Sequence, residues 1–172
     1  TFADFGDQKL SLVSRDRDDT LNVYSGDSLI WKGEEEYPSV EAVVLKPLTG
    51  IDAMTQREFE PITRQAEKSR EIRIKGRMLA MDINGDGRDE VILPKHAGGF
   101  LFLASPEAEL RALRWTGVRL EEIWGVRSLS GTVQDIEMAR GAAGGAQVIS
   151  LQRSSGGIFS RQTERVVQYN LP

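Results

Sequence analysis

Short apolar or alternating runs, each closed by glycine, aspartate, serine or asparagine, recur along the whole chain and leave almost no space for amphipathic helices between them. They are "KLSLV" (9–13), "LNVY" (21–24), "LIW" (29–31), "EAVVL" (41–45), "EIRIKGRMLAM" (71–81), "EVIL" (90–93), "FLFL" (100–103), "LRALRW" (110–115), "LEEIW" (120–124), "TVQDIEM" (132–138), "VISL" (148–151) and "RVVQY" (165–169). Runs of this length between turn formers read as strands. Several gaps are hairpin-sized, such as "SGDS" between Tyr24 and Leu29 and "TGVR" between Trp115 and Leu120. A parallel β/α arrangement needs a helix between strands, so the expected fold class is all-β and antiparallel.

The chain also resembles itself. "LNVYSGDSLIW" (21–31) aligns with "LRWTGVRLEEIW" (113–124), matching Leu21 to Leu113, Tyr24 to Trp115 after a one-residue shift, Gly26 to Gly117 and Leu29 to Leu120. An aspartate loop leading into a strand precedes each copy: "ADFGDQKLSLV" (3–13) and "MDINGDGRDEVIL" (81–93). "ARGAAGGAQVISL" (139–151) followed by "RVVQY" reads as a worn third copy. Units of about four antiparallel strands are the make-up of β-propeller blades. The expectation is therefore a single β-propeller-like domain over 1–172, with blade units at roughly 1–45, 71–124 and 130–172 and a polar insertion at 46–70. Pro47 and Pro61 argue against a long helix in that insertion, which reads as a surface excursion.

The second aspartate loop is the richest in chemistry. Counting from Asp82 as position 1, side-chain oxygens fall at positions 1 (Asp82), 3 (Asn84), 5 (Asp86) and 9 (Glu90), and Arg88 at position 7 offers a backbone carbonyl. Alternating hard oxygens on a tight loop suit calcium, which takes about six to eight of them, better than magnesium. Gly85 and Gly87 permit the sharp path such a loop requires. An EF-hand needs a glutamate at position 12 and flanking helices, whereas here position 12 is Leu93 and the flanks read as strands. Two readings stand: a β-flanked structural calcium site, or a polar turn in which Asp82 and Asn84 accept bonds from backbone amides without metal. The first loop keeps only Asp4 and Asp7 and the third keeps no acid, so neither is expected to bind a cation.

"DINGDGRDEVIL" resembles the calcium loop of FG-GAP repeats (also called VCBS repeats), as in the blades of integrin α-subunit propellers. "LRALRWTGVRLEEIW" is similar to the hairpin after that loop in secreted or envelope-attached bacterial members. The resemblance implies a β-propeller and one calcium ion held by Asp82, Asn84, Asp86, Glu90 and the Arg88 carbonyl. It also implies a periplasmic, cell-surface or secreted location in a bacterial envelope. Closed propellers have roughly four to eight blades and this chain holds about three. It is therefore expected to be part of a longer propeller, or an open array whose edges need a partner or self-association. The first residue is Thr1 rather than methionine, in keeping with a missing upstream segment.

Composition narrows the function. The 172 residues are 40% hydrophobic and 28% charged with a net charge of −4, which suits one soluble domain with an ordinary core. No basic cluster marks nucleic-acid binding, and no run is long enough to insert into a membrane. The lack of cysteine excludes disulfides and thiolate metal sites. His96, the only histidine, reads as an ordinary residue in a turn after a strand, with no nucleophile paired to it. "RSSGGIFS" (153–160) lacks the setting of a nucleophile elbow, and "GAAGGA" (141–146) lacks the ending of a phosphate loop. "GEEEY" (33–37) and "RDRDD" (15–19) read as solvated turns. Trp31, Trp115 and Trp124 could stack on sugars, but their repeat-equivalent positions indicate packing between blades.

The expected function is a non-enzymatic, calcium-stabilised scaffold outside the cytoplasm, with a protein or glycan partner. The alternatives are part of a propeller-type polysaccharide lyase or hydrolase, and a purely structural domain of an envelope protein. No catalytic carboxylate constellation of the kind the enzyme requires can be picked out.

Overall fold

Thirteen strands and no helix occur among the residues that the computed structural model describes: 1–6, 10–38, 41–44, 71–96, 107–141, 145–154 and 163–172. Eleven of the strands form three antiparallel meanders, because no connection within these sheets reaches the roughly dozen residues that a parallel crossover needs. The first sheet is β1 (Phe2–Asp4), β2 (Leu10–Arg15), β3 (Thr20–Ser25) and β4 (Ser28–Glu36), paired in that order. β5 (Glu41–Val44) and β6 (Glu71–Ile74) pair only with each other. The second sheet is β7 (Leu79–Met81), β8 (Glu90–His96), β9 (Glu107–Trp115) and β10 (Leu120–Ser130), again neighbour to neighbour. β11 (Thr132–Arg140), β12 (Ala146–Ser154) and β13 (Thr163–Asn170) make the third.

Contacts divide the chain into Thr1–Val40 with Lys75–Pro172, which holds the three meanders, and Glu41–Ile74, which holds the β5–β6 pair. The expected excursion at 46–70 and the "FLFL" strand lie outside the described residues. The run 71–81, read above as one strand, is two. Lys75 and Arg77 in its middle are drawn aside: Lys75 Nζ donates to the Asp16 carbonyl and to Asp19 Oδ1 (2.8 Å), and Arg77 pairs with Asp135 (3.3 Å) and Glu137 (2.9 Å).

The second sheet is apolar on both faces, as strand alternation allows when a sheet is covered twice. Val91, Leu93, Leu113 and Trp115 pack against Ala3, Phe5, Val13, Leu21 and Val23 of the first sheet and its adjoining loop. Ile92, Ala108, Leu110 and Ala112 point the other way, to Val133, Ile136 and Val148 of the third. Full burial of each Val, Leu or Ile in these two cores contributes about 1.5–3 kcal/mol. The tryptophans belong to the same layers. Trp115 is buried between Phe5 (ring centroids 5.7 Å) and Trp31 (6.2 Å), and Trp124 packs on the second core.

The internal likeness is reproduced in the register. Tyr24 faces Leu29 across the β3–β4 hairpin, as Trp115 faces Leu120 across β9–β10. A β-bulge follows in each fourth strand, leaving Ile30 and Ile123 as the extra residues before Trp31 and Trp124.

"GEEEY" is not a turn. Gly33–Glu36 continue β4, where the Glu35 carboxylate bonds Lys95 (2.5 Å) and Arg111 (2.8 Å) of the second sheet and accepts from the Tyr37 hydroxyl (2.9 Å). Burial alone would raise the Glu35 pKa, but these partners hold it below the usual carboxylate value. In "RDRDD", Arg15 ends β2 and only Asp16–Asp19 form the turn. His96 is the last residue of β8 and is buried, not a turn residue.

Candidate metal loop

The loop from Asp82 to Asp89 joins the first strand of the second sheet to the second. Gly85 (φ +79°) and Gly87 (φ +82°) both lie in the left-handed region, where a branched residue would clash. This double reversal turns successive amides inward. The Asp82 carboxylate accepts three of them, from Gly85 (2.7 Å), Asp86 (3.2 Å) and Gly87 (2.9 Å). Asn84 Oδ1 accepts the Asp86 amide (2.8 Å), and Asp86 Oδ1 accepts the Arg88 amide (2.9 Å). The bond from Gly87, then those from the other loop amides, hold the Asp82 carboxyl below its ordinary pKa against a smaller opposing effect of burial.

Glu90 opens β8 and is 0% exposed. A buried carboxylate must be partnered, and three donors meet it. The Ile83 amide reaches Oε2 (3.1 Å), while Asn84 Nδ2 (3.0 Å) and Arg114 Nε (2.9 Å) reach Oε1. Arg114 stands opposite Glu90 on β9 and also comes within 3.8 Å of Asp86 Oδ2. The guanidinium thus supplies positive charge to two of the acids, and its own pKa is raised, chiefly by the bond to Glu90.

The structure therefore places Asp82, Asn84, Asp86 and Arg88 on one loop and Glu90 on the first residue of the strand that follows, and brings Asn84 and Glu90 into direct contact. The donor set, oxygen only, has the chemistry of a calcium site. Among the described residues no three acidic or imidazole side chains converge on one point. A cation at Glu90 and Asp86 would take over the charge that Arg114 now provides.

Two participants escape sequence reasoning. Arg114 lies 24 residues beyond Glu90, and only the β8–β9 register makes them neighbours. Asp89 ties the loop to the first sheet: its Oδ2 accepts the Asp4 amide (2.8 Å) and its amide donates to the Asp4 carbonyl (2.6 Å). A Cβ on Gly6 would sit 2.9 Å from Arg88 Nε, so the first aspartate loop and the second interlock there.

His96 is a bridge. Its Nδ1 lies 3.2 Å from the Pro38 carbonyl oxygen, and its Nε2 is 3.1 Å from the Val133 amide. The amide can only donate, so Nε2 is the acceptor and Nδ1 carries the proton. Burial pushes the pKa of this neutral ring down to about 4.

A cleft of about 370 Å³ opens between β4 and the start of β10, lined by Trp31, Glu34, Glu35, Tyr37, Arg119 and Leu120 among others. No family model matches the chain, and neither a curated protein nor a solved structure does.

Proposed function

We propose that this chain is a calcium-binding β-propeller segment of the FG-GAP/VCBS type, a non-enzymatic scaffold that works outside the cytoplasm and presents its surface to a protein or glycan partner. The observation that carries the reading is the second sheet, a four-stranded meander with an apolar core on each face. A sheet of that kind needs a neighbour on both sides, which is how propeller blades stack. The matched hairpins and the bulges at Ile30 and Ile123 support a repeated unit. In both four-stranded sheets the aspartate-bearing loop joins the first strand to the second.

In this reading Asp82, Asn84, Asp86, Glu90 and the Arg88 carbonyl hold one Ca²⁺. The ion supplies charge neutralisation that braces the approach to β8. The envelope location rests on the resemblance of the loop.

Calorimetric titration of calcium into the chain and into Asp86→Ala tests the proposal, with thermal melts in calcium, magnesium and chelator. The expected result is a single site, lost in the variant, and a melting temperature raised by calcium. No heat and no shift would leave the loop a polar turn.

A further inference from the structure

The outward face of the first sheet occupies the place in the repeat that, one sheet further on, is buried. On the second sheet, Trp115 and its partner Leu120 pack against the first sheet, while Trp124, beyond the bulge, turns to the third. On the first sheet, Trp31 beyond its bulge turns to the second, so Tyr24 and Leu29 stand where Trp115 and Leu120 stand. Within the unit of Thr1–Val40 and Lys75–Pro172, no sheet lies in front of them among the described residues.

Strand alternation continues the row. Ala3, Val13 and Val23 are core, so Phe2, Leu12 and Tyr24 point outward. Register sets Phe2 opposite Leu12, Leu12 opposite Tyr24 and Tyr24 opposite Leu29, one apolar line across all four strands. Phe2 is 64% exposed, Leu10 64%, Leu29 51% and Ile30 47%. A terminal sheet of a stable stack has a polar outer face; here Ser14, Asn22 and Lys32 are polar, but the row beside them is apolar from edge to edge.

The far end of the stack offers the counterpart. Val133, Ile136 and Val148 of the third sheet face the second. Its other face is mixed: Leu151 and Val166 pair across β12 and β13 and are 37% and 70% exposed, and the ion pair of Arg153 and Glu164 flanks them. Both interfaces described between the three meanders join the forward face of one sheet to the backward face of the next. The same rule joins the third sheet of one molecule to the first sheet of another.

We propose that the Phe2–Leu12–Tyr24–Leu29 face is a stacking surface for a second copy of this chain, which covers it with the Leu151–Val166 face of its third sheet. The contact is head-to-tail, and two such contacts, one at each end, close a pair of molecules. The inference rests on the stacked-sheet part of the reading above and is independent of calcium.

Light scattering and sedimentation of the 172-residue chain over about 1–200 μM test it by mass action. The expected species is a discrete dimer, converted to monomer by Leu29→Arg and equally by Val166→Arg. Val118→Arg, at the exposed tip of the β9–β10 hairpin, should leave the dimer intact. Phe2→Ser serves as the second probe of the row if Leu29→Arg loses its circular dichroism spectrum. A monomer throughout the range overturns the proposal and leaves the face to a further sheet of a longer polypeptide, with the stacking reading untouched. A dimer broken by Leu29→Arg but not by Val166→Arg also overturns it, because the contact would then be face-to-face.

Discussion

Replacing Arg114 by methionine separates the two ways in which the aspartate loop can be held together. The variant keeps most of the side-chain volume over β9 and removes the only cationic partner that Glu90 has among the described residues. Glu90 stays fully buried, with the Ile83 amide and Asn84 Nδ2 as its remaining donors. Stripping the partner from a buried ion pair costs about 3–5 kcal/mol, and a single charge-assisted hydrogen bond is worth about 1.5–3 kcal/mol. Arg114 is 37% exposed, so water screens part of its charge and the lower range applies. The expected loss is about 2–3 kcal/mol in urea unfolding at neutral pH with chelator present. Saturating calcium should return most of it, because a divalent ion can neutralise Glu90 and Asp86 where the guanidinium did. Glu90→Gln in the same background should cancel the loss, since a neutral amide needs no counter-charge. A loss under about 0.5 kcal/mol, within the range of ordinary surface substitutions, would refute the assignment of Arg114 as the residue that holds Glu90.

The His96 bridge makes stability depend on acid. Its folded pKa of about 4 lies below the unfolded 6.5, so the stabilisation is complete above pH 6.5 and is lost as pH falls toward 4. At about 1.4 kcal/mol per unit the span is worth about 3 kcal/mol, and His96→Gln should flatten urea midpoints between those pH values by a comparable amount. Gly131 has φ +98°, and a Cβ there would meet the Arg153 carbonyl and sit 2.8 Å from Ser154 Cα, so Gly131→Ala should cost about 2–3 kcal/mol in thermal or urea melts. Gly117→Ala, equally left-handed but in open space, should cost about 1 kcal/mol. Arg111→Met strands Glu35, Glu109 and Glu122 around a mostly buried site, and should lose about 2 kcal/mol, less in high salt because the carboxylates are partly exposed.

Strands were legible because their signal is local. Each apolar run needs only its own alternation and the turn beside it, and the described runs fall on β2–β13 within a few residues. The hairpins of 21–31 and 113–124 were legible for the same reason, since each carries its aromatic, glycine turn and leucine within a few residues. What the sequence hid are pairings between distant residues. Nothing around Lys75 announces that Asp19 will hold it, so 71–81 reads as one strand when it is two. Phe2–Asp4 is too short to show a period and hides inside what looks like a loop. Tyr37 and Glu35 look solvated beside Glu34 and Glu36, and only the facing Lys95 and Arg111 make them part of the seam between sheets. His96 looks like a loop residue because its partners, Pro38 and Val133, are 58 and 37 residues away.

The aspartate loop shows where these two kinds of information meet. Its glycines and oxygens are readable from nine consecutive letters, yet its setting is long-range on three sides. Arg114 reaches it from β9, Asp4 bonds Asp89 from the first sheet, and Arg88 fills the space that Gly6 leaves. An ion bound at Asp86 and Glu90 would therefore act on the seam between the first two sheets as well as on its own turn. Stiffening there would be transmitted to β1, the strand that carries Phe2 at the edge of the outward apolar row, by the two Asp4–Asp89 bonds, one to the Asp89 carboxylate and one from its amide. If the seam is the conduit, Asp89→Ala should leave calcium affinity nearly unchanged, because Asp89 is outside the proposed ligand set. It should also remove part of the calcium-dependent rise in melting temperature. An equal rise in variant and wild type would confine the effect of the ion to the loop.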